Sequence, residues 1–109
     1  MDGFWTAEFG SSTGVLGGGV AVLQDGSIVG GDGGYFYRGQ YTVTGGNAFH
    51  ATIEVIPFIE NYPSVFKTVN QKLTLELVGS LQGSDQAIAQ GQARGMPHLK
   101  FGVKLTKRA

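Results

Sequence analysis

Period-two alternation of apolar and polar residues runs through this chain almost from end to end, and a helical period is nearly absent. The pattern is plainest in Leu99, Phe101, Val103 and Leu105, which alternate with Lys100, Gly102, Lys104 and Thr106. Successive side chains of a strand point to opposite faces, so such a run has one apolar and one polar side. The same rule separates Leu73, Leu75 and Leu77 from Lys72, Thr74 and Glu76, and Phe49, Ala51, Ile53 and Val55 from His50, Thr52 and Glu54. Tyr35, Tyr37, Tyr41 and Val43 alternate in turn with Phe36, Arg38, Gln40 and Thr42. Turn signals punctuate these runs, among them Asp25-Gly26 and Gly46-Asn47, which suit tight hairpins.

The alternation predicts eight strands over residues 3–9, 15–23, 27–32, 35–43, 48–56, 72–80, 86–93 and 98–106. Only the connection Pro57–Gln71 is long, and Pro63 within it is placed to open one short helical turn. Short connections make consecutive strands antiparallel, and a chain of 109 residues has no spare helices to cover sheet faces. The expected fold is therefore all-β, a single domain over residues 1–109 forming an eight-stranded antiparallel up-and-down barrel, which leaves no exposed edge.

That architecture gives the 19 glycines a task. They are too many for an average globular chain, yet they follow no Gly-X-Y period. A small barrel needs sharply bent strands and a tapering interior, both served by residues without a bulky Cβ. Gly17-Gly18-Gly19 lies inside an apolar strand, and Ala87, Ala89, Gly91 and Ala93 give another strand a face of small residues. Such rows imply either tight closure or a cavity. For a cavity, the inward rows name Trp5, Tyr37, Phe49, Ile53, Leu75, Leu77, Phe101 and Val103 as its lining, suited to a small apolar ligand.

Charge and composition narrow the function classes. Residues 1–54 carry Asp2, Glu8, Asp25, Asp32 and Glu54 against Arg38 alone, whereas residues 55–109 carry seven Lys and Arg against Glu60, Glu76 and Asp85, for a net charge of zero. A balanced total argues against direct nucleic-acid binding. The absence of cysteine excludes a disulfide framework and cysteine-ligated zinc. With no membrane-length apolar run and no signal-like opening, the expectation is a soluble cytoplasmic protein of bacterial type, with no membrane partner.

Motifs that suggest catalysis or cofactor binding have better explanations in β-structure. Gly10-Ser11-Ser12-Thr13-Gly14 matches the G-x-S-x-G nucleophile elbow, but that elbow must lead into a helix, and here strand sequence follows. His50 and Glu54 share a strand face, but their Cβ atoms are ~13 Å apart at ~3.3 Å per residue, too far to hold one ion together. The glycine runs at 17–19 and 30–34 lead into strands instead of the helix a phosphate loop requires. Tyr35, Phe36, Tyr37, Arg38 and Tyr41 form an aromatic block with a single cation, better suited to core and subunit contacts than to stacking nucleic-acid bases. No cofactor, no metal and no catalytic residue is expected, hence no enzyme.

Gly3-Phe4-Trp5 resembles the G-x-W opening of lipocalins and other calycin barrels, with Lys107 or Arg108 in place of the usual basic partner. A broader resemblance is carried by Asp2-Gly3-Phe4-Trp5, by Ile28-Val29-Gly30-Gly31-Asp32 followed by Tyr35-Phe36-Tyr37-Arg38-Gly39, and by Tyr62-Pro63-Ser64-Val65-Phe66. These blocks resemble the GrlR family of type III secretion negative regulators. The resemblance implies a calycin-like barrel, a homodimer, and a non-catalytic role in which a transcriptional activator is sequestered through protein–protein contact. Gly3, Gly30, Gly31, Asp32, Tyr35, Tyr37, Gly39, Pro63, Ser64, Val65 and Phe66 are its motif residues here. The family's acidic partner-binding loop corresponds to Thr44-Gly45-Gly46-Asn47, which carries no carboxylate, so no binding residue transfers from it. Apolar residues on both parities of the second strand, Val15, Ala21 and Leu23 against Leu16, Val20 and Val22, imply that its outer side is covered as well.

Overall fold

A computed structural model describes all residues, 1–109. It contains eight strands, β1 (Gly3–Ser11), β2 (Leu16–Gln24), β3 (Ser27–Gly31), β4 (Tyr35–Gly45), β5 (Ala48–Pro57), β6 (Leu73–Leu81), β7 (Gln86–Ala93) and β8 (Met96–Lys107). Each pairs antiparallel with its neighbours in chain order, and β1 pairs with β8 to close the barrel. No strand boundary departs by more than two residues from the one expected from alternation. The expected inward rows do face inward: Leu73, Leu75 and Leu77 are buried, whereas Glu76 and Val78 between and beyond them are exposed.

The expected helical turn at Pro63 does not form. Residues 58–72 make a strap of turns across one end of the barrel, with no helical residue. The cause lies in Ser64, whose Oγ accepts hydrogen bonds from the backbone N–H of Phe66 and Thr68 at 3.0 and 3.3 Å. A side chain that takes up local amides in this way competes with helical hydrogen bonding.

Glycine lets the sheet coil tightly enough to close. A Cβ at Gly39 would collide with the Thr52 carbonyl of β5, and one at Gly91 with the Glu76 carbonyl of β6, because the neighbouring backbone crosses directly over the inward side of each position. These are the corners expected of a small barrel. Turns demand a different property of the residue: Asp25 and Gly26, at φ 51° and 84°, form the tight β2–β3 hairpin that their sequence suggests.

Replacing Gly91 by alanine is expected to destabilise the barrel by about 3 kcal/mol, since the obstacle is backbone that cannot rotate away. Gly102 has open space around its Cβ position and no positive φ. There the same substitution is expected to be neutral or to stabilise by up to about 1 kcal/mol. Denaturant unfolding of the two variants beside the parent protein checks the contrast.

Candidate ligand-binding cavity

The inward rows do not fill the barrel. They surround a cavity of about 590 Å³, lined by 32 residues of which 25 are hydrophobic. Seven of the eight expected lining residues border it, namely Tyr37, Phe49, Ile53, Leu75, Leu77, Phe101 and Val103. Trp5 does not. It lies 1 % exposed at the end of the barrel where β1 begins, and its Nε1 donates to the Met1 carbonyl oxygen at 3.0 Å. The indole thus packs at the base together with Met1, near the start of β1. Asp2 completes this end, its Oδ1 accepting from the Tyr41 hydroxyl at 3.0 Å and the Asp25 amide at 3.1 Å.

Both alternatives for the small-residue rows are realised, in different places. Ala87 and Ala93 are fully buried and lie outside the cavity lining, whereas Ala21, Ala51 and Ala89 border the cavity. The glycine run of β2 makes room for aromatic side chains of β1 and β4: the Phe9 ring lies against Gly17 and the Tyr37 hydroxyl against Gly19.

The opposite end carries the mouth, and the motif residues Asp32, Tyr35, Tyr37 and Pro63 to Phe66 meet there, whereas Gly3 lies at the base. Asp32 organises the β3–β4 turn. Its Oδ1 accepts from the Gly34 and Tyr35 amides, both at 2.9 Å, and its Oδ2 accepts from the Tyr37 hydroxyl. The strap at 58–72 is latched to two other turns. The Val65 carbonyl accepts from the hydroxyls of Ser11 and Thr13 in the β1–β2 connection. The Tyr35 hydroxyl donates to the carbonyls of Tyr62 and Thr68 at 2.6 and 3.3 Å. Phe66 then turns inward, its ring 5.9 Å from that of Phe101. Sequence reasoning missed the strap's share of the lining, Tyr62 to Lys67, because no periodicity marks which loop residues turn inward. Phe9 was legible, as the next inward position after Trp5 and Ala7.

The other candidate sites resolve into structure. Ser12 occupies the β1–β2 turn, where its hydroxyl donates to the His98 carbonyl at 3.1 Å and accepts from the Lys100 amide at 3.2 Å. Glu54 is engaged by Arg38 at 3.0 Å and Lys72 at 2.6 Å on the outer surface, and these cations hold its carboxyl below the usual range. No three His, Asp or Glu side chains lie close enough together to bind a metal. The two glycine runs lie within β2 and at the β3–β4 turn, with no helix at either. Tyr35, Tyr37 and Tyr41 border the cavity, whereas Phe36 and Arg38 lie outside, so the aromatic block is split between the two faces of the sheet.

No protein-family model matches the chain, and no curated protein matches it. Among solved structures it is similar to a redesigned beta barrel, with a TM-score of 0.72 over 99 % of this chain and 91 % of that one, at 14 % sequence identity. The chain has the β-barrel fold. At that identity the likeness speaks for architecture alone. No helix is long and apolar enough to cross a membrane.

Burial raises the pKa of Tyr37 far above that of a free tyrosine, and its hydrogen bond to Asp32 and the charge of that carboxylate add to the shift. Burial likewise raises Tyr35, with the Asp32 charge contributing, and Tyr41, with its hydrogen bond to Asp2 contributing. The folded state thus favours neutral phenols. The stability they contribute is intact below the unfolded tyrosine value of about 10 and is lost as pH rises above it. Alkaline titration followed by tyrosinate absorbance is expected to show ionisation coupled to unfolding. At neutral pH, Asp32→Ala is expected to cost about 2–3 kcal/mol through its lost charge-assisted hydrogen bonds, measured by chemical denaturation.

Proposed function

We propose that this protein works by binding, and that the barrel interior takes one small apolar ligand as a carrier or sensor. The observation that carries this reading is the apolar cavity of about 590 Å³, within the ~300–1,000 Å³ range of small-molecule sites. A barrel of this strand number can be filled by its own side chains, and this one holds alanine and glycine where larger residues would fill it. Asp32, Ser64 and the Tyr35 hydroxyl at the mouth serve the turns and the strap, and the deeper wall is left to apolar contact. The reading is of a cytoplasmic, non-catalytic protein with no nucleic-acid or membrane partner.

A second reading is supported by the outer surface. Phe4 lies opposite Val22, and Val22 opposite Val29, across β1, β2 and β3. With Val20 and Phe36 they form an outward apolar band, each residue between 38 % and 56 % exposed. Bands of this kind mark protein contacts. They suit the homodimer and the sequestration of a transcriptional activator implied by the resemblance to type III secretion negative regulators.

An environment-sensitive apolar dye is expected to bind and to be displaced by a ligand of the barrel. Ala7→Phe, which points a ring into the void, is expected to weaken dye binding at least about tenfold, the equivalent of about 1.4 kcal/mol, while circular dichroism stays unchanged. Absence of dye binding by the parent protein would sink the ligand reading. For the outer band, the expectation is a dimer in sedimentation at micromolar concentration that Val22→Lys with Val29→Lys converts to monomer. A parent protein that sediments as a monomer removes the dimer.

A further inference from the structure

The mouth of the cavity carries one charged side chain of each sign, and only the cation has no partner within the fold. Among the lining side chains only Asp32 and Lys67 carry charge at neutral pH. The Asp32 carboxylate keeps its charge, but both of its oxygens already accept hydrogen bonds from Gly34, Tyr35 and Tyr37, so it is held within the β3–β4 turn. Lys67 is free. It takes part in none of the three ion pairs, which use Arg38, Lys72 and Arg94, and it is exposed on the strap that crosses the mouth. The wall beneath is hydrocarbon, formed by residues such as Phe49, Leu75, Leu77 and Val103.

The backbone at this position gives lysine no structural advantage. Lys67 has φ 65°, a region that favours glycine or asparagine. Its amide donates to the Ser64 carbonyl at 2.9 Å, a bond that any residue but proline makes. Neither the fold nor an internal ion pair uses the ammonium group.

From this placement we infer that the ligand is a single-chain amphiphile with a carboxylate head, a long-chain fatty acid in chemical class. Its alkyl chain occupies the barrel and its head is held at the mouth by the Lys67 ammonium. The head stays at the water boundary, so the carboxylate avoids the cost of burial without a partner. A lone lysine supplies one point charge without the planar fork of an arginine, and this suits a monoanion. The inference rests on the ligand reading above and adds the head group and the residue that recognises it.

The test compares a saturated fatty acid with the primary alcohol of the same chain length by calorimetric titration of the full chain. Lys67→Gly removes the cation and relaxes the left-handed backbone, so the variant is expected to fold, and Lys67→Arg keeps the charge. The acid is expected to bind the parent protein about fivefold more tightly than the alcohol. Lys67→Gly is expected to abolish that advantage without changing alcohol binding, and Lys67→Arg to retain it. The advantage is also expected to shrink with added salt. Lengthening the chain by one methylene is expected to tighten both ligands about fourfold until the barrel is full. If acid and alcohol bind alike and Lys67→Gly affects neither, the head-group assignment is overturned while the apolar-ligand reading survives. If neither binds, the ligand reading itself falls.

Discussion

The pairing of β1 with β8 is the constraint on which the rest of this structure depends. Seven residues of β1, from Trp5 to Ser11, find partners between Phe101 and Lys107, while the same strand pairs with β2 on its other side. The ladder joins opposite ends of the chain and must offset the entropy of closing that large loop, a cost that grows only logarithmically with length. Once it forms, no strand edge is left open and every residue is assigned to an inside or an outside. Backbone bonds at the termini secure the seam, with the Phe4 amide donating to the Ala109 carbonyl at 2.9 Å and the Arg108 amide to the Phe4 carbonyl at 2.7 Å.

Closure also explains the division of labour among small residues. A sheet of eight short strands can curl shut only if neighbouring backbones approach closely at the corners, which is where Gly39 and Gly91 are found. Elsewhere the same small side chains leave the wall thin, and the enclosed volume stays open. The barrel is consequently weak in internal packing, with only 16 of its 109 residues buried. Much of its rigidity must come from the hydrogen-bonded wall and from the two ends, where Asp2 with Trp5 closes the base and Asp32 with the strap organises the mouth. No buried side-chain nitrogen or oxygen is left without a partner, so the polar groups at these ends stabilise the fold without an unpaired penalty.

Much of this was legible in the residues. Leu73, Leu75 and Leu77, or Phe49, Ala51 and Ile53, announce strand and facing at once, because the two-residue repeat of the side chains follows from backbone geometry alone. The same logic named eight inward residues, seven of which border the cavity. It failed for Trp5, since alternation says that a side chain points inward but not at what height along the barrel axis. It failed again at Pro63, where a local proline preference gave way to the hydrogen bonds of Ser64. The apolar residues of β2 on both parities were the sequence's reason to expect a covered outer face. In the structure these residues belong to an apolar band from Phe4 to Phe36 that is exposed on the single chain.

The sequence by itself determined eight strands, their antiparallel order and the inward or outward sense of most side chains, because these depend on local repeat, turn chemistry and short connections. Only the tertiary structure decided that the interior stays partly hollow, that Trp5 seals one end, and that Asp32, Tyr37 and the strap around Val65 and Lys67 converge on the other. Those outcomes depend on which residues far apart in the chain arrive at the same height around a closed ring. That height is set by the stagger between strands, a property of the whole barrel that no single strand encodes.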